Sequence, residues 1–355
     1  MTRYQLNVKI HKQLDRSVMP LVTVLLLDWS VRERFHALDW LEKQNVDRDL
    51  YELMWVEIYD RVVPEVIEKV DTYITCGMKG LYNKHIGYNV GLLHAQGKVL
   101  NICDSDAVFP PDFIESIIKS FNLYNSDEPE SIILMHYEWR TGSFYPDGMS
   151  NLEDLKKYKW LDLWANVGAC ASIKRHDAIR FGGFDEHPSY RGYMCGVYDL
   201  VWRMVNAGIP EIWHSDEVAL WHFAHPDPVA SFGQKFSRKL FKEITYPHLQ
   251  GHALKAVEAF STGRILPLQE NPDVFKLRMS SRKIGTAFEE KYAWITNGKK
   301  FTLKDILNLY LFLFIMEPLR PTMRKILIFA QKTLGDRAYF FLKKMWYSLQ
   351  HKKLT

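Results

Sequence analysis

Three apolar runs in the first 106 residues each close on carboxylates: LVTVLLLD (21–28), YELMWVEIYD (51–60) and KVLNICDSD (98–106). None has the 3.6-residue period of an amphipathic helix. Their β-branched and Leu-rich content fits strands buried on both faces of a parallel sheet. DTYITC (71–76) reads as a further short strand. Helical patterns fall between the runs, near residues 33–44, after Pro64, and from 84 to 96 with Gly97 as the expected C-cap. PPDFIESIIKSF starts another helix behind two prolines. Strands alternating with helices over the first 120 residues predict an α/β fold, a Rossmann-like mixed and mainly parallel sheet flanked by helices. Ligands of such sheets bind at the carboxyl ends of the strands. Asp28, Glu57, Asp104 and Asp106 all fall at or near those ends.

Beyond residue 120 the pattern loosens. SIILMHYEW and WANVGACASIKR look like strands, TGSFYPDGMSNLEDLKKYKW like a loop or flap, and three histidines (His214, His222, His225) lie within twelve residues. The last ~120 residues are mostly helical in pattern. We therefore expect one α/β unit over residues 1–230 and a helical C-terminal extension over 231–355. The 355-residue chain is 47% hydrophobic and 25% charged, which suits that size of globular unit. Charge is unevenly placed: from Leu319 to Thr355 there are nine Lys or Arg and one Asp, a net of +8, so the remainder carries −4 of the chain's +4.

No segment approaches the ~18–20 continuous apolar residues of a membrane span, and the N-terminal residues lack the apolar core of a signal peptide. The cysteines Cys76, Cys103, Cys170 and Cys195 are dispersed without metal-ligand spacing, which suits reduced thiols in a cytoplasmic protein. In the tail, LYLFLFIM (309–316) is too short to span a bilayer. The stretches MRKILIFAQKTL and AYFFLKKMWYSL interleave lysines with aromatic and aliphatic residues. Such helices can lie on an anionic membrane surface, here the inner face of the cell membrane, or pack on the α/β unit or on a second copy of the chain.

The pair Asp104-x-Asp106 is costly as it stands, since two close anions repel and resist desolvation. A hard divalent cation, Mn²⁺ or Mg²⁺, neutralises both. If it also grips a diphosphate, it stabilises a leaving group that gains negative charge. An isolated Asp-x-Asp is more often a solvated turn, but this one follows a buried strand within a series of βα units.

Five blocks in order resemble family 2 glycosyltransferases of the GT-A fold: VTVLLLDWSVRER, NKHIGYNVGLLHAQGKVLNICDSDAVFPPDFI, GACASIKRHDAIRFGGFDE, DLVWRMVNAG and WHFAHP. They span roughly residues 20–228. The resemblance implies an inverting transfer from a nucleotide sugar, a UDP-sugar by expectation, to a hydroxyl of a glycan or lipid-linked glycan. It implies that Asp28, Glu57, Asn89, Asp104 and Asp106 bind the donor, and that Asp104, Asp106 and His222, with His225 as substitute, hold the metal. Gly183, Phe184, Asp185 and Trp164 would face sugar or acceptor. Nucleic acid is not an expected partner.

One departure stands out. The family's Glu-Asp pair, whose aspartate deprotonates the acceptor, is matched here by Gly196 and Val197. Neither can act as a base. Asp199 is the nearest carboxylate to take that role, followed by Asp185 and Glu186; Asp199 is also spaced to pair with Arg203. A homologue that binds sugar nucleotides without turning them over is the alternative.

Overall fold

The computed structural model describes residues 6–149, 151–155, 157–158, 162–164, 170–187, 190–191, 196–206, 209–224, 268–280, 317–335, 338–339, 341–342 and 345. His225 and the 309–316 run lie outside them.

The chain runs β1 (Lys9–Gln13), β2 (Val22–Asp28), α1 (His36–Leu41), β3 (Tyr51–Glu57), α2 (Pro64–Lys69), β4 (Thr72–Thr75), α3 (Lys84–His94), β5 (Val99–Asp104) and β6 (Ala107–Val108). It continues through α4 (Phe113–Ser120), β7 (Ile133–Met135), β8 (Glu138–Phe144), α5 (Leu152–Leu155), β9 (Asp162–Trp164), β10 (Cys170–Lys174) and α6 (Arg175–Arg180). Then come α7 (Tyr198–Asn206), β11 (Glu211–Trp213), β12 (Leu220–Ala224), α8 (Pro272–Ser280) and α9 (Glu317–Leu334).

Among the described residues, eight strands form one sheet in the order β1-β4-β3-β2-β5-β10-β7-β11. The strands β4, β3, β2 and β5 are mutually parallel, as the buried runs predicted. β10 then pairs antiparallel with β5 and β7, which makes the sheet mixed. All seven residues of β2 are buried, because parallel neighbours flank it and helices cover both faces. Leu25 and Leu27 point into a core shared with α3, α6 and α7, while Val22, Val24 and Leu26 point into one shared with α1 and α4. The α/β class expected from the sequence is the observed one.

Two expectations are corrected and one strand is added. β1 was not foreseen: KIHKQ is too polar to read as a strand, and it is one because its backbone pairs antiparallel with β4 at the sheet edge, where mostly exposed lysines are tolerated. Thr141 to Phe144 is not loop but the end of β8. Gly97 is not the C-cap of α3, a place taken by Ala95. Its lack of a side chain serves close packing instead, since a Cβ there would sit 2.4 Å from the backbone N of Thr23.

A second sheet, β6-β12-β8-β9, stands beside the carboxyl end of β5. Its β6–β12 register sets His222 opposite Ala107, one residue past Asp106. A contact between residues more than 110 apart is thus made by strand pairing. Trp164 lies in β9, with its backbone opposite Glu138.

α8 packs on α6 and α3, and the residues leading into it reach the acids of the site. Residues 268–280 thus pack with the α/β unit.

Candidate active site

Asp28 and Glu57 end β2 and β3 as register partners. Asp28 Oδ1 accepts the N–H groups of Trp29 (2.8 Å) and Val31 (3.2 Å). Glu57 accepts from Ser30 N (3.0 Å), Ser30 Oγ (2.9 Å) and Tyr59 N (2.9 Å). Ser30 has φ +61°, a left-handed conformation that costs a non-glycine residue free energy. Glu57 supplies the bonds that offset it. Burial, with Asp28's charge added, pushes Glu57 up to about 7. Burial also raises Asp28, against the pull of Arg32. Both acids are almost fully enclosed. As the structure stands, they shape the loop after β2 rather than offer oxygens to an open cleft.

The Asp-x-Asp pair is arranged differently, and each acid has its own cation. Lys84, the first residue of α3, places Nζ 3.4 Å from Asp104 Oδ1. Arg32 places Nη2 2.9 Å from Asp106 Oδ2. Its Nε donates to Ser105 Oγ (3.3 Å), and that hydroxyl donates to the carbonyl of Leu27. Both cations border the ring of Trp29, at 4.6 Å for Lys84 Nζ and 5.5 Å for Arg32 Cζ. Trp29 in turn stacks on Tyr82.

His222 closes the other side. Its Nε2 is 3.5 Å from Asp106 Oδ2, and its Nδ1 is 3.2 Å from Glu138 Oε1. Glu138 is fully buried and held by Arg140 at 2.6 Å. Burial by itself lowers the His222 pKa, but the charges of Asp106 and Glu138 outweigh it and raise the ring to about 9. Burial works the other way on Glu138, whose carboxyl His222 and Arg140 hold below its usual range.

The Gly-Gly-Phe-Asp-Glu turn lies between α6 and α7. Gly182 and Gly183 take φ +82° and +66°, open to glycine at little cost. A Cβ on Gly183 would also fall 2.5 Å from Asn89 Oδ1. Asn89 is the reason: its Oδ1 accepts Phe184 N (2.8 Å), and its Nδ2 donates to Phe184 O (2.8 Å) and Glu186 Oε1 (3.0 Å). Glu186 Oε1 also accepts Asn271 Nδ2 at 2.6 Å, and Asn271 Oδ1 caps the start of α8.

Asp199 stands beneath this turn. Its carboxylate pairs with Arg203 (Nη2–Oδ2 2.7 Å) and accepts Asp185 N (2.9 Å). Arg203 donates to the carbonyls of Phe181 and Gly183 as well. Burial would raise Asp199, but Arg203 holds it below the usual carboxylate range. Asp185 is equally enclosed; its Oδ1 accepts His187 N and Gln269 N. Burial and the charge of Asp199 push Asp185 up to about 7. The fully buried His85 joins the two segments, with Nδ1 2.6 Å from Asp185 O and Nε2 3.2 Å from Gly196 O. Of the three candidate bases, Glu186 alone is partly exposed.

Asp106 and His222 bring a carboxylate and a histidine ring together, which become a donor set suited to a divalent ion once the ring gives up a proton to it. Asp104 turns Oδ1 to Lys84, and among the described residues no three His, Cys, Asp or Glu side chains converge on one point. Mg²⁺ often takes only one or two protein carboxylates and completes its shell with substrate phosphates and water. The residues present fit an ion that arrives with a diphosphate.

Arg32, Lys84, Glu138, Arg203 and Asn271 were not picked out as site residues from sequence, although Arg203 was noted as the spacing partner of Asp199. The two arginines in DWSVRER, directly after a strand end, were the one local signal for Arg32.

The class these features define is a mixed α/β protein with paired acids and cations at the carboxyl ends of its parallel strands. No protein-family model and no curated protein matches the chain. Solved structures do. The mannosyltransferase PcManGT from Pyrobaculum calidifontis, in complex with GDP-Man and Mn²⁺, aligns over 97% of this chain and 85% of its own at 16% identity, with a TM-score of 0.41. TarS 1–349 from S. aureus, in complex with UDP-GlcNAc, aligns over 92% of both chains at 14% identity, with a TM-score of 0.46.

Proposed function

We propose that this chain is an inverting glycosyltransferase that moves a sugar from a nucleotide-sugar donor to a hydroxyl of a glycan or lipid-linked glycan. The observation that carries it is the row of ion pairs at the strand ends, Asp104 with Lys84 and Asp106 with Arg32 and His222, together with Asn89, which lies on the same helix as Lys84 and locks the Gly-Gly-Phe turn. Two acids, two cations and an imidazole at strand ends are the groups that a diphosphate and its counter-ion require. The five sequence blocks that resemble family 2 glycosyltransferases supply these same residues.

In this mechanism Arg32 and Lys84 hold the diphosphate, and Asp106 and His222 hold Mn²⁺ or Mg²⁺. When bound, such an ion offsets the charge that builds on the departing nucleoside diphosphate. Asn89 and the buried glycine turn position Glu186. Glu186 takes the acceptor proton: it is partly exposed, it borders the turn, and two asparagine amides fix one of its oxygens. Asp199, the first choice from sequence, acts as a strut for the turn through Arg203.

A thermal-shift panel of UDP- and GDP-sugars, with and without Mn²⁺, tests the proposal. One donor should raise Tm in a metal-dependent way, since a ligand that binds only the folded state stabilises it by mass action. That donor should then release nucleoside diphosphate when an acceptor hydroxyl is present. No shift with any donor would reject the proposal. A shift without turnover would favour the second reading, a sugar-nucleotide-binding homologue. Val197, buried in place of the family's base, is the observation behind that reading.

The tail is proposed to dock on an anionic membrane surface. No helix among the described residues is long and apolar enough to cross a membrane. α9 exposes Ile326, Phe329 and Leu334, within a segment of net charge +8. Full-length protein should float with phosphatidylserine vesicles and not with neutral ones, and Phe329→Glu should reduce its recovery several-fold. Equal recovery from both vesicle types would refute membrane docking.

A further inference from the structure

Arg32 stands where a metal site should have room. Its Nη2 lies 2.9 Å from Asp106 Oδ2, the oxygen that also faces His222 Nε2 at 3.5 Å. The two side chains are 8% and 7% exposed, so this is a desolvated ion pair and not a surface contact. Without it, Asp106 would be left with the His222 ring alone, which Glu138 shares, a costly arrangement for a buried acid. A divalent ion held between His222 and the Asp106 oxygen it faces would share that oxygen with a guanidinium, and two cations on one oxygen repel.

We propose that Arg32 is a tethered counter-ion: it neutralises Asp106 while the donor is absent and moves to the donor's diphosphate when the divalent ion binds, so that ion and nucleotide bind cooperatively. The inference rests on the donor-binding reading above and names how that site is regulated. Three features support it. Arg32 belongs to the loop after β2, which turns on a left-handed Ser30, so its backbone belongs to no helix or strand. Its second bond, from Nε to Ser105 Oγ, is a longer one at 3.3 Å and keeps the side chain next to the acid pair. Lys84 mirrors it on Asp104, and both cations border the Trp29 ring. A diphosphate, with two or more negative charges, can draw both cations from their carboxylates. Whatever cost Arg32 adds to metal binding is then removed by the nucleotide, and by linkage the metal favours the nucleotide equally.

The test measures free Mn²⁺ by electron paramagnetic resonance, with the protein alone and with saturating UDP or GDP. Calorimetry first establishes which nucleotide the wild-type protein binds. Wild type should bind Mn²⁺ weakly alone and about tenfold or more tightly with nucleotide, within the usual range of such couplings. Arg32→Gln should bind Mn²⁺ alone more tightly than wild type, and the nucleotide enhancement should shrink towards none. Arg32→Lys keeps the charge without the fork that reaches Ser105 and Asp106 together. It should fall between the two, and it decides the matter if thermal melts show that Arg32→Gln does not fold. Arg32 variants that bind Mn²⁺ alone no better than wild type, or that keep the full enhancement, would overturn the inference while leaving donor binding intact. Failure of wild type to bind either nucleotide would overturn the donor reading and this inference together.

Discussion

Asp106→Asn should lose metal-dependent donor binding and at least about 10²–10³-fold in turnover, the range found when a preorganised electrostatic partner of the transition state is removed. The substitution keeps the side chain's size and one oxygen. It removes the charge that faces both Arg32 and His222. Seen from the sequence, the removal of one acid from a repelling pair should hardly touch stability. The structure changes that expectation. Asp106 is the partner of a buried arginine, and breaking such a pair from one side costs roughly 3–5 kcal/mol. The variant should therefore melt well below wild type, and its activity must be assayed below that melting point. Titration calorimetry with Mn²⁺ and the donor found in the panel is the decisive measurement. Wild-type affinity for both would remove Asp106 from the site.

Glu186 and Asp199 should part company under the same conservative change. Glu186→Gln keeps an oxygen that can still accept from Asn89 and Asn271 but loses basicity. It should melt near wild type and turn over roughly 10²-fold or more slowly, the usual contribution of a general base. Asp199→Asn leaves Arg203 buried without a counter-charge while Arg203 still holds the Phe181 and Gly183 carbonyls. Its main effect should be on stability, about 3–5 kcal/mol. Any fall in its activity should follow the loosened turn and appear in KM for the donor sugar. A pH–rate profile separates the roles, because Glu186→Gln should flatten the acidic limb and Asp199→Asn should not. If instead Asp199→Asn flattens that limb while Glu186→Gln turns over normally, the base is Asp199 and the strut assignment is wrong.

The strand-end acids were legible in the sequence because a strand buried on both faces has few ways to end: a carboxylate after LVTVLLL or VLNIC must lie at the rim of a parallel sheet. The same logic fixed β2, β3, β4 and β5 and the helices between them, whose signals are local runs of side chains. β1 was missed because its signal is not in its side chains. KIHKQ becomes a strand only when the edge of β4 offers it a backbone to pair with.

What became of each acid was decided by tertiary structure alone. Asp28, Glu57, Asp104 and Asp106 look alike along the chain, yet the first two are sealed into the loop after β2, and the last two each receive a cation, from Lys84 and Arg32. Those partners lie 20 and 74 residues away in sequence. His222 reaches Asp106 only through the pairing of β12 with β6, and Asn271 reaches Glu186 only because α8 folds back on α3 and α6. A sequence carries the residue types that chemistry needs and the local patterns that build strands and helices. It does not carry the pairing of charges, because which cation neutralises which acid depends on distances of a few ångströms that only packing sets, and on burial, which makes those few ångströms matter.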